Sequence, residues 1–154
     1  MEAQMVAVNE DGSIADAFVL DLSWRDVLAA PFNPKGKAMV AETPEEELNR
    51  NPIPLTSSLA GQMACHKVYG LAGETKWSRT QKIEAIRWLA ENADGSDWND
   101  LCEDAKRRFK IMPIGALDEY NWFGCCLFLK QILDFIARNK ERKAVVAPIA
   151  PLND

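Results

Sequence analysis

The strongest structural signal in this chain comes from residues 117–143, which read LDEYNWFGCCLFLKQILDFIARNKERK. At 100° per residue, their apolar side chains cover about half of a helical cylinder. These side chains belong to Leu117, Trp122, Cys125, Phe128, Leu129, Ile132, Leu133, Phe135 and Ile136. The polar wedge that remains is narrow and contains Glu119, Lys130, Asp134 and Glu141. Because so broad an apolar face must be covered by other elements, the stretch predicts a long core helix.

The same stretch is too interrupted to cross a membrane. Lys130, Gln131 and Asp134 break its apolar run, which falls short of the ~20 apolar residues that a bilayer requires. We therefore predict a mainly α fold, a single-domain helical bundle around this long C-terminal helix, and no membrane partner.

The N-terminal residues predict a small β element. Two apolar runs, residues 5–8 and 14–20, flank the dipeptide Asp11-Gly12, and Asp-Gly between apolar runs favours a tight hairpin turn. A lone hairpin is not stable in water. We therefore expect a short β-hairpin over residues 1–22 that packs on the helices.

The remaining chain predicts further helices and a tail. Five shorter helices are expected in a helical part over residues 23–143, and together with the hairpin they form one globular domain, 1–143. Their predicted N-terminal residues are Ser23, Thr43, Ser57, Ser78 and Ser96. Ser78 with Gln81 matches a capping box. Residues 144–154 contain two prolines, which oppose a helix, so this segment is predicted to be an extended or disordered tail.

Composition narrows the class of protein. The 154 residues carry a formal net charge of −5, which gives no long-range attraction to nucleic acid or anionic lipid. The four cysteines form no CxxC pair, and Cys125-Cys126 lies within the apolar helix. This pattern indicates reduced, buried thiols without metal, and hence a cytoplasmic protein. The acidic N-terminal sequence also lacks the features of a signal peptide.

The only histidine offers one catalytic alternative, an enzyme of unfamiliar type around Cys65 and His66. Adjacent helical residues point about 100° apart, which suits neither a nucleophile with its base nor a pair of metal ligands. The sequence contains no phosphate-binding loop, dinucleotide-binding glycine motif, zinc-protease motif or nucleophile elbow. We therefore predict no enzyme activity, no cofactor and no metal site.

A basic segment offers the second alternative, a DNA-binding regulator. Its cations are Lys106, Arg107, Arg108 and Lys110. The helix that carries them opens with the acidic sequence SDWNDLCED, where a recognition helix would enter the groove. Cations in a last turn are also favoured simply by the helix dipole, so the sequence argues against nucleic acid as a partner.

A second apolar stripe on the long helix points to another protein, or to a homodimer. Tyr120, Phe123 and Leu127 follow one another at i, i+3 and i+7 beside the polar wedge. Trp77 and Trp88 are further candidates, because tryptophan outside a core favours interfaces. We predict a non-catalytic protein-interaction module: an adaptor, an assembly subunit, or an acidic inhibitor of the kind that phages and mobile genetic elements encode.

Overall fold

The structure is a computed structural model, and it describes residues 3–20, 48, 52–72, 77–93, 97–111 and 115–148. Within these residues, four α-helices with defined ends accompany a four-stranded antiparallel sheet. The strands are β1 (Ala3–Val8), β2 (Ile14–Leu20), β3 (Ile53–Pro54) and β4 (Lys143–Pro148). The helices are α1 (Ser57–Ala72), α2 (Arg79–Glu91), α3 (Trp98–Arg108) and α4 (Ala116–Arg138).

The prediction of a helical bundle around a long C-terminal helix was wrong, because the fold is α+β. Helix α4 ends at Arg138, and after a short turn the chain enters β4. Residues 144–148, expected in the tail, thus lie in a strand of the sheet. Pairing between residues more than a hundred positions apart leaves no local pattern from which it could be predicted.

The chain separates into two compact units, Met1–Leu55 with Phe135–Asp154, and Thr56–Asp134. The expected helix from Ser23 and the helix that follows Thr43 (apart from the helical Leu48) lie outside the described residues. The predicted cap at Ser96 was wrong, because the N-cap of α3 is Asp97, whose side chain accepts a hydrogen bond from the backbone N–H of Asp100. The single domain over 1–143 therefore stays a prediction.

The sheet of the first unit has the strand order β2-β1-β4-β3. The predicted hairpin is confirmed: β1 pairs with β2, and Gly12 in the turn adopts φ +89°, which glycine tolerates at no steric cost. Strand β4 pairs with β1 on one side and with β3 on the other. Pro54 is tolerated because β3 is an edge strand among the described residues, so its missing N–H interrupts no ladder.

The second unit consists of helices, and small residues set the spacing between two of them. A Cβ atom on Gly61 of α1 would lie 3.0 Å from Ile86 Cγ2 and 3.2 Å from the backbone nitrogen of Arg87, both on α2. Glycine at this position therefore lets α1 and α2 approach each other closely. The capping box of Ser78 and Gln81 at the start of α2 is also present.

Helix α4 is amphipathic as predicted. Its buried side chains, each at most 9% exposed, include Trp122, Cys125, Cys126, Phe128, Leu129, Ile132 and Phe135. They cover the broad face that the sequence assigned to the core, with Cys126 added at its margin. No helix among the described residues combines the length and the apolar character needed to span a bilayer.

Candidate interaction surface

The outer face of α4 carries three large apolar side chains in water. Tyr120, Phe123 and Leu127 are 66%, 60% and 46% exposed. Their spacing of three and four residues places them on one stripe, on the side of the helix opposite to Cys125 and Ile132. We call Tyr120, Phe123 and Leu127 the α4 stripe.

Charged residues border the α4 stripe at both ends. Toward the N-terminus, Glu119 Oε1 accepts a hydrogen bond from Lys106 Nζ at 2.8 Å. Toward the C-terminus, Lys130 Nζ lies 3.4 Å from Asp134 Oδ2. An apolar centre with a charged rim is the usual composition of a protein–protein contact surface.

The contacts of α4 with the core of the second unit lie on its inner face. On the inner face of α4, Trp122 is 3% exposed and packs edge-on against Trp77, with their ring centroids 5.3 Å apart. Next to it, a Cβ atom on Gly124 would lie only 3.2 Å from Val68 Cγ2 on α1. Because these contacts use the opposite side of α4, the stripe is left to solvent.

The two tryptophans proposed as partner contacts occupy different environments. Trp77 is 3% exposed, so the structure corrects its assignment: the ring belongs to the core and is no surface anchor. Trp88 is half-buried and contacts Phe109 at a centroid distance of 6.3 Å. The guanidinium of Arg108 lies 5.5 Å from the Trp88 ring centroid. Trp88 is thus covered in part by its own chain, on a different helix from the α4 stripe.

Two of the four cations in the basic segment at the end of α3, Lys106 and Arg107, have carboxylate partners. Lys106 forms salt bridges to Glu103 and Glu119, and Arg107 pairs with Asp104. The hydrogen bond to Glu119 raises the pKa of Lys106 above its usual value. The Lys106 side chain is only 16% exposed and lies between two carboxylates, so it is poorly placed to contact a phosphate. The geometry therefore does not favour the nucleic-acid alternative.

Lys110 and Arg108 complete that segment. Lys110 is exposed and has φ +55°, a backbone conformation uncommon for a residue with a side chain. It lies in the turn after α3, whereas Arg108 covers Trp88. These two cations therefore do not extend the helical row of Lys106 into a continuous surface for a nucleic-acid backbone.

The cysteines lie in two pairs between helices of the second unit. All four are free thiols: that of Cys65 on α1 is hydrogen-bonded to that of Cys125 on α4, and that of Cys102 on α3 is hydrogen-bonded to that of Cys126. Burial raises the pKa of Cys125 and of Cys126 well above the usual range. The hydrogen bond from Cys126 lowers the pKa of Cys102. These thiols serve as contacts between α4 and its neighbours.

The catalytic alternative gains no support from this arrangement. Cys65 is 1% exposed, which shields its sulfur from a substrate, and His66 beside it is half-buried. Among the described residues, no three of the side chains that commonly bind metals come together. A cleft of about 440 Å³ lies by the hairpin turn, lined by Asn9, Glu10, Arg142 and their neighbours. Across this cleft, Arg142 Nε already donates a hydrogen bond to Asn9 Oδ1 at 3.0 Å.

Sequence reasoning missed two features of the first unit. Ile14 and Val19 on β2 are 60% and 54% exposed, although their run was expected to pack on helices. On the same strand, Asp16 Oδ2 accepts hydrogen bonds from Asn139 Nδ2 at 3.0 Å and from Arg138 at 3.1 Å. The only signal in the sequence for the partly buried position of Asp16 is the alternation of a β-strand, which turns Asp16 away from the exposed Ala15 and Ala17.

Three polar residues of the second unit are also buried, and two of them, Lys82 and Asn121, are fully buried without a signal in the sequence. Lys82 is 0% exposed, and its ammonium lies 5.8 Å from the centroid of the Trp77 ring. Asn121 on α4 is likewise 0% exposed. Burial of such groups is costly unless their surroundings compensate, so a pattern of apolar residues would not place them inside.

Comparison of the chain with known proteins finds no matching family model, no matching curated protein and no matching solved structure.

Proposed function

We propose that this chain is a non-catalytic, cytoplasmic protein-interaction module that binds its partner through the α4 stripe. The observation that carries the proposal is the exposure of Tyr120, Phe123 and Leu127, at 66%, 60% and 46%, on a single face of α4. In this role the chain acts as an adaptor, an assembly subunit or an inhibitor. The buried thiols support the assignment to a reducing compartment.

The free energy that a partner would gain by burying the α4 stripe supports a binding role for it. Burying a side chain such as Leu or Phe completely is worth roughly 1.5–3 kcal/mol. About half of each stripe side chain is still exposed, so a partner that covers all three gains on the order of 3 kcal/mol before ordering costs. Side chains of this type, surrounded by charges, are typical binding hot spots.

An acidic inhibitor is the form of this function that the net charge favours. The chain carries −5, so a partner with a basic surface would associate faster at low salt. The α4 stripe would then supply the contact and the charge would supply the steering. A rate of association that falls with added salt supports this form, and a salt-independent rate contradicts it.

The proposal is tested with Phe123→Glu, which places a carboxylate in the middle of the α4 stripe. Since Phe123 is exposed, we expect the variant to keep its fold but to weaken association by ~2 kcal/mol or more. Thr80→Glu is the matched control, because it adds the same charge at an exposed position in the first turn of α2. Wild type and both variants are compared by melting temperature and by recovery of bound protein from native lysate.

The two measurements separate the possible outcomes. Loss of bound protein with Phe123→Glu but not with Thr80→Glu, at unchanged melting temperature, supports the proposal. If Phe123→Glu unfolds the isolated chain, the α4 stripe belongs to the core and the proposal fails. Equal recovery with all three proteins also contradicts it.

A further inference from the structure

We infer that the partner covering the α4 stripe is a second copy of this chain, whose α4 helix runs antiparallel to the first. The inference rests on the proposed function, because it names the partner of the same surface. It is carried by the order of side chains along the outer face of α4, which is complementary to itself when reversed.

The spacing along this face is that of a two-helix seam. From Tyr120, steps of three and four residues lead to Phe123, Leu127, Lys130 and Asp134, which is the repeat that lets two helices pack along their length. Lys130 and Asp134 are exposed like the α4 stripe itself. The seam therefore has an apolar N-terminal half and a charged C-terminal half.

Reversal of one helix brings the apolar residues of the two copies together. Phe123 of each copy then lies beside Leu127 of the other, which forms two equivalent apolar layers at the centre. Tyr120 of each copy lies beside Lys130 of the other. A lysine there can lay its stem along the aromatic ring and its ammonium over the ring face.

The charges at the ends of the seam also match in this orientation. Lys130 of one copy approaches Glu119 of the other, and the two have opposite charge. Asp134 of one copy reaches the start of the other α4 helix at Ala116, where the helix dipole favours an anion. A parallel pair would instead place Lys130 against Lys130 and Asp134 against Asp134.

The existing ion pairs leave room for this arrangement. Glu119 accepts from Lys106 at 2.8 Å, yet 51% of its side chain is exposed and can also face Lys130 of the second copy. Lys130 and Asp134 lie 3.4 Å apart, with 48% and 59% of their side chains exposed. An exposed pair of this kind contributes little to stability, roughly 0.2–0.5 kcal/mol between helical residues four apart. Both side chains can therefore turn toward the second copy at small cost.

The size of the α4 stripe predicts a weak dimer. A stable interface buries about 800 Å² on each partner, and an aromatic side chain supplies about 150–250 Å² when fully buried. Three side chains that are already partly covered supply less than half of the required area. We therefore expect a monomer–dimer equilibrium that shifts with protein concentration.

Sedimentation equilibrium of the full chain, from about 10 µM to about 1 mM, tests the inference. We expect the average mass to rise toward that of a dimer. Phe123→Glu should raise the dimer dissociation constant about 30-fold or more, and Thr80→Glu should leave it unchanged. A wild-type chain that stays monomeric throughout this range overturns the inference.

Lys130→Glu tests the orientation of the two helices. In the antiparallel arrangement the new carboxylate meets Glu119 of the other copy, so the variant should dimerise several-fold more weakly than the wild type. A mixture of variant and wild type should then have intermediate affinity. If the mixed dimer is tighter than both pure dimers, residues 130 face each other, the helices are parallel, and the inference is overturned.

Failure of this inference differs from failure of the proposed function. A monomeric wild type that binds another protein, and loses it with Phe123→Glu, overturns the homodimer but leaves an interaction module. If Phe123→Glu lowers the melting temperature of the chain sharply, both fail, because the α4 stripe is then part of the core.

Discussion

Asp16 shows how one side chain ties distant parts of the first unit together. Asp16 lies on β2, and its carboxylate accepts one hydrogen bond from Arg138, the last residue of α4, and another from Asn139, which follows it. It also accepts from the backbone N–H of Ala17 at 2.9 Å. The hydrogen bond from Asn139 and then that from Arg138 lower the pKa of Asp16 below its ordinary value of 3.8.

This lowered pKa predicts how stability depends on pH. Because the folded-state pKa of Asp16 lies below the unfolded-state value, the ionised carboxylate stabilises the fold above pH 3.8. The contribution is lost as the pH falls through the lower, folded-state pKa. Asp16→Asn should therefore lower the urea midpoint at pH 7, and the gap to wild type should narrow well below pH 3.8. A gap of constant size would show that the charge is not responsible.

At the scale of the element, α4 separates side chains that hold the fold from side chains that do not. Phe128 and Ile132 are 9% and 0% exposed, whereas Leu127, which directly precedes Phe128, is 46% exposed. Removing buried atoms leaves a cavity, and a Leu, Ile or Phe truncated to alanine in a core usually costs 2–5 kcal/mol. The same truncation on the surface usually changes stability little.

Phe128→Ala and Ile132→Ala should each lower the free energy of unfolding by about 2–5 kcal/mol. Leu127→Ala is the control on the same helix and should change it by less than about 1 kcal/mol. Denaturant midpoints at fixed pH measure all three. Losses below about 1 kcal/mol for both buried positions would mean that α4 is peripheral to the core.

The contact between α1 and α2 gives a second prediction at this scale. Alanine favours a helix over glycine by about 1 kcal/mol, but a Cβ atom at residue 61 would lie 3.2 Å from backbone atoms of Ile86 and Arg87. Backbone atoms cannot move aside as a flexible side chain can. We therefore expect the steric clash to outweigh the gain in helix propensity, so that Gly61→Ala lowers the free energy of unfolding by about 1–3 kcal/mol.

Gly115→Ala is the matched control for this prediction. A Cβ atom on Gly115 would meet no atom within 4 Å, so its substitution should change the free energy of unfolding by less than about 1 kcal/mol. Thermal melts of both variants are sufficient. If Gly61→Ala is as stable as Gly115→Ala or more stable, the helices are not held as closely as the structure indicates.

At the scale of the whole molecule, β4 is the strand that joins the sheet. Val146 is 3% exposed and lies opposite Met5 of β1 and Ile53 of β3. Strands from the beginning, the middle and the end of the chain therefore meet at this residue. Its apolar side chain cannot be replaced by a charge without burying that charge.

Val146→Asp should accordingly lower the free energy of unfolding by at least about 3 kcal/mol and weaken the strand signal in circular dichroism. Lys143→Asp introduces the same carboxylate at an exposed position of the same strand and should keep the fold. A Val146→Asp variant with wild-type stability would mean that residues 143–148 are not part of the sheet in solution.

Features that depend on neighbouring residues could be predicted from the amino-acid sequence. The Asp11-Gly12 turn, the capping box at Ser78 and Gln81, and the two faces of α4 follow from short-range chemistry or from helical periodicity. The α4 stripe was predicted for the same reason, because the spacing of Tyr120, Phe123 and Leu127 defines a face of the helix in any tertiary fold. Its exposure agrees with that spacing, and its role in binding stays a prediction.

Contacts between distant segments could not be predicted in this way and are seen only in the folded chain. Residues 144–148 contain a proline and are predicted to be part of a tail, but pairing with β1 and β3 makes them a strand, since the ladder partners of Val146 lie far away in the chain. The core position of Trp77 follows from its contact with Trp122, and the pairing of the cysteines from the packing of α1 and α3 on α4. These contacts are non-local, so their free energy appears only when the chain has folded.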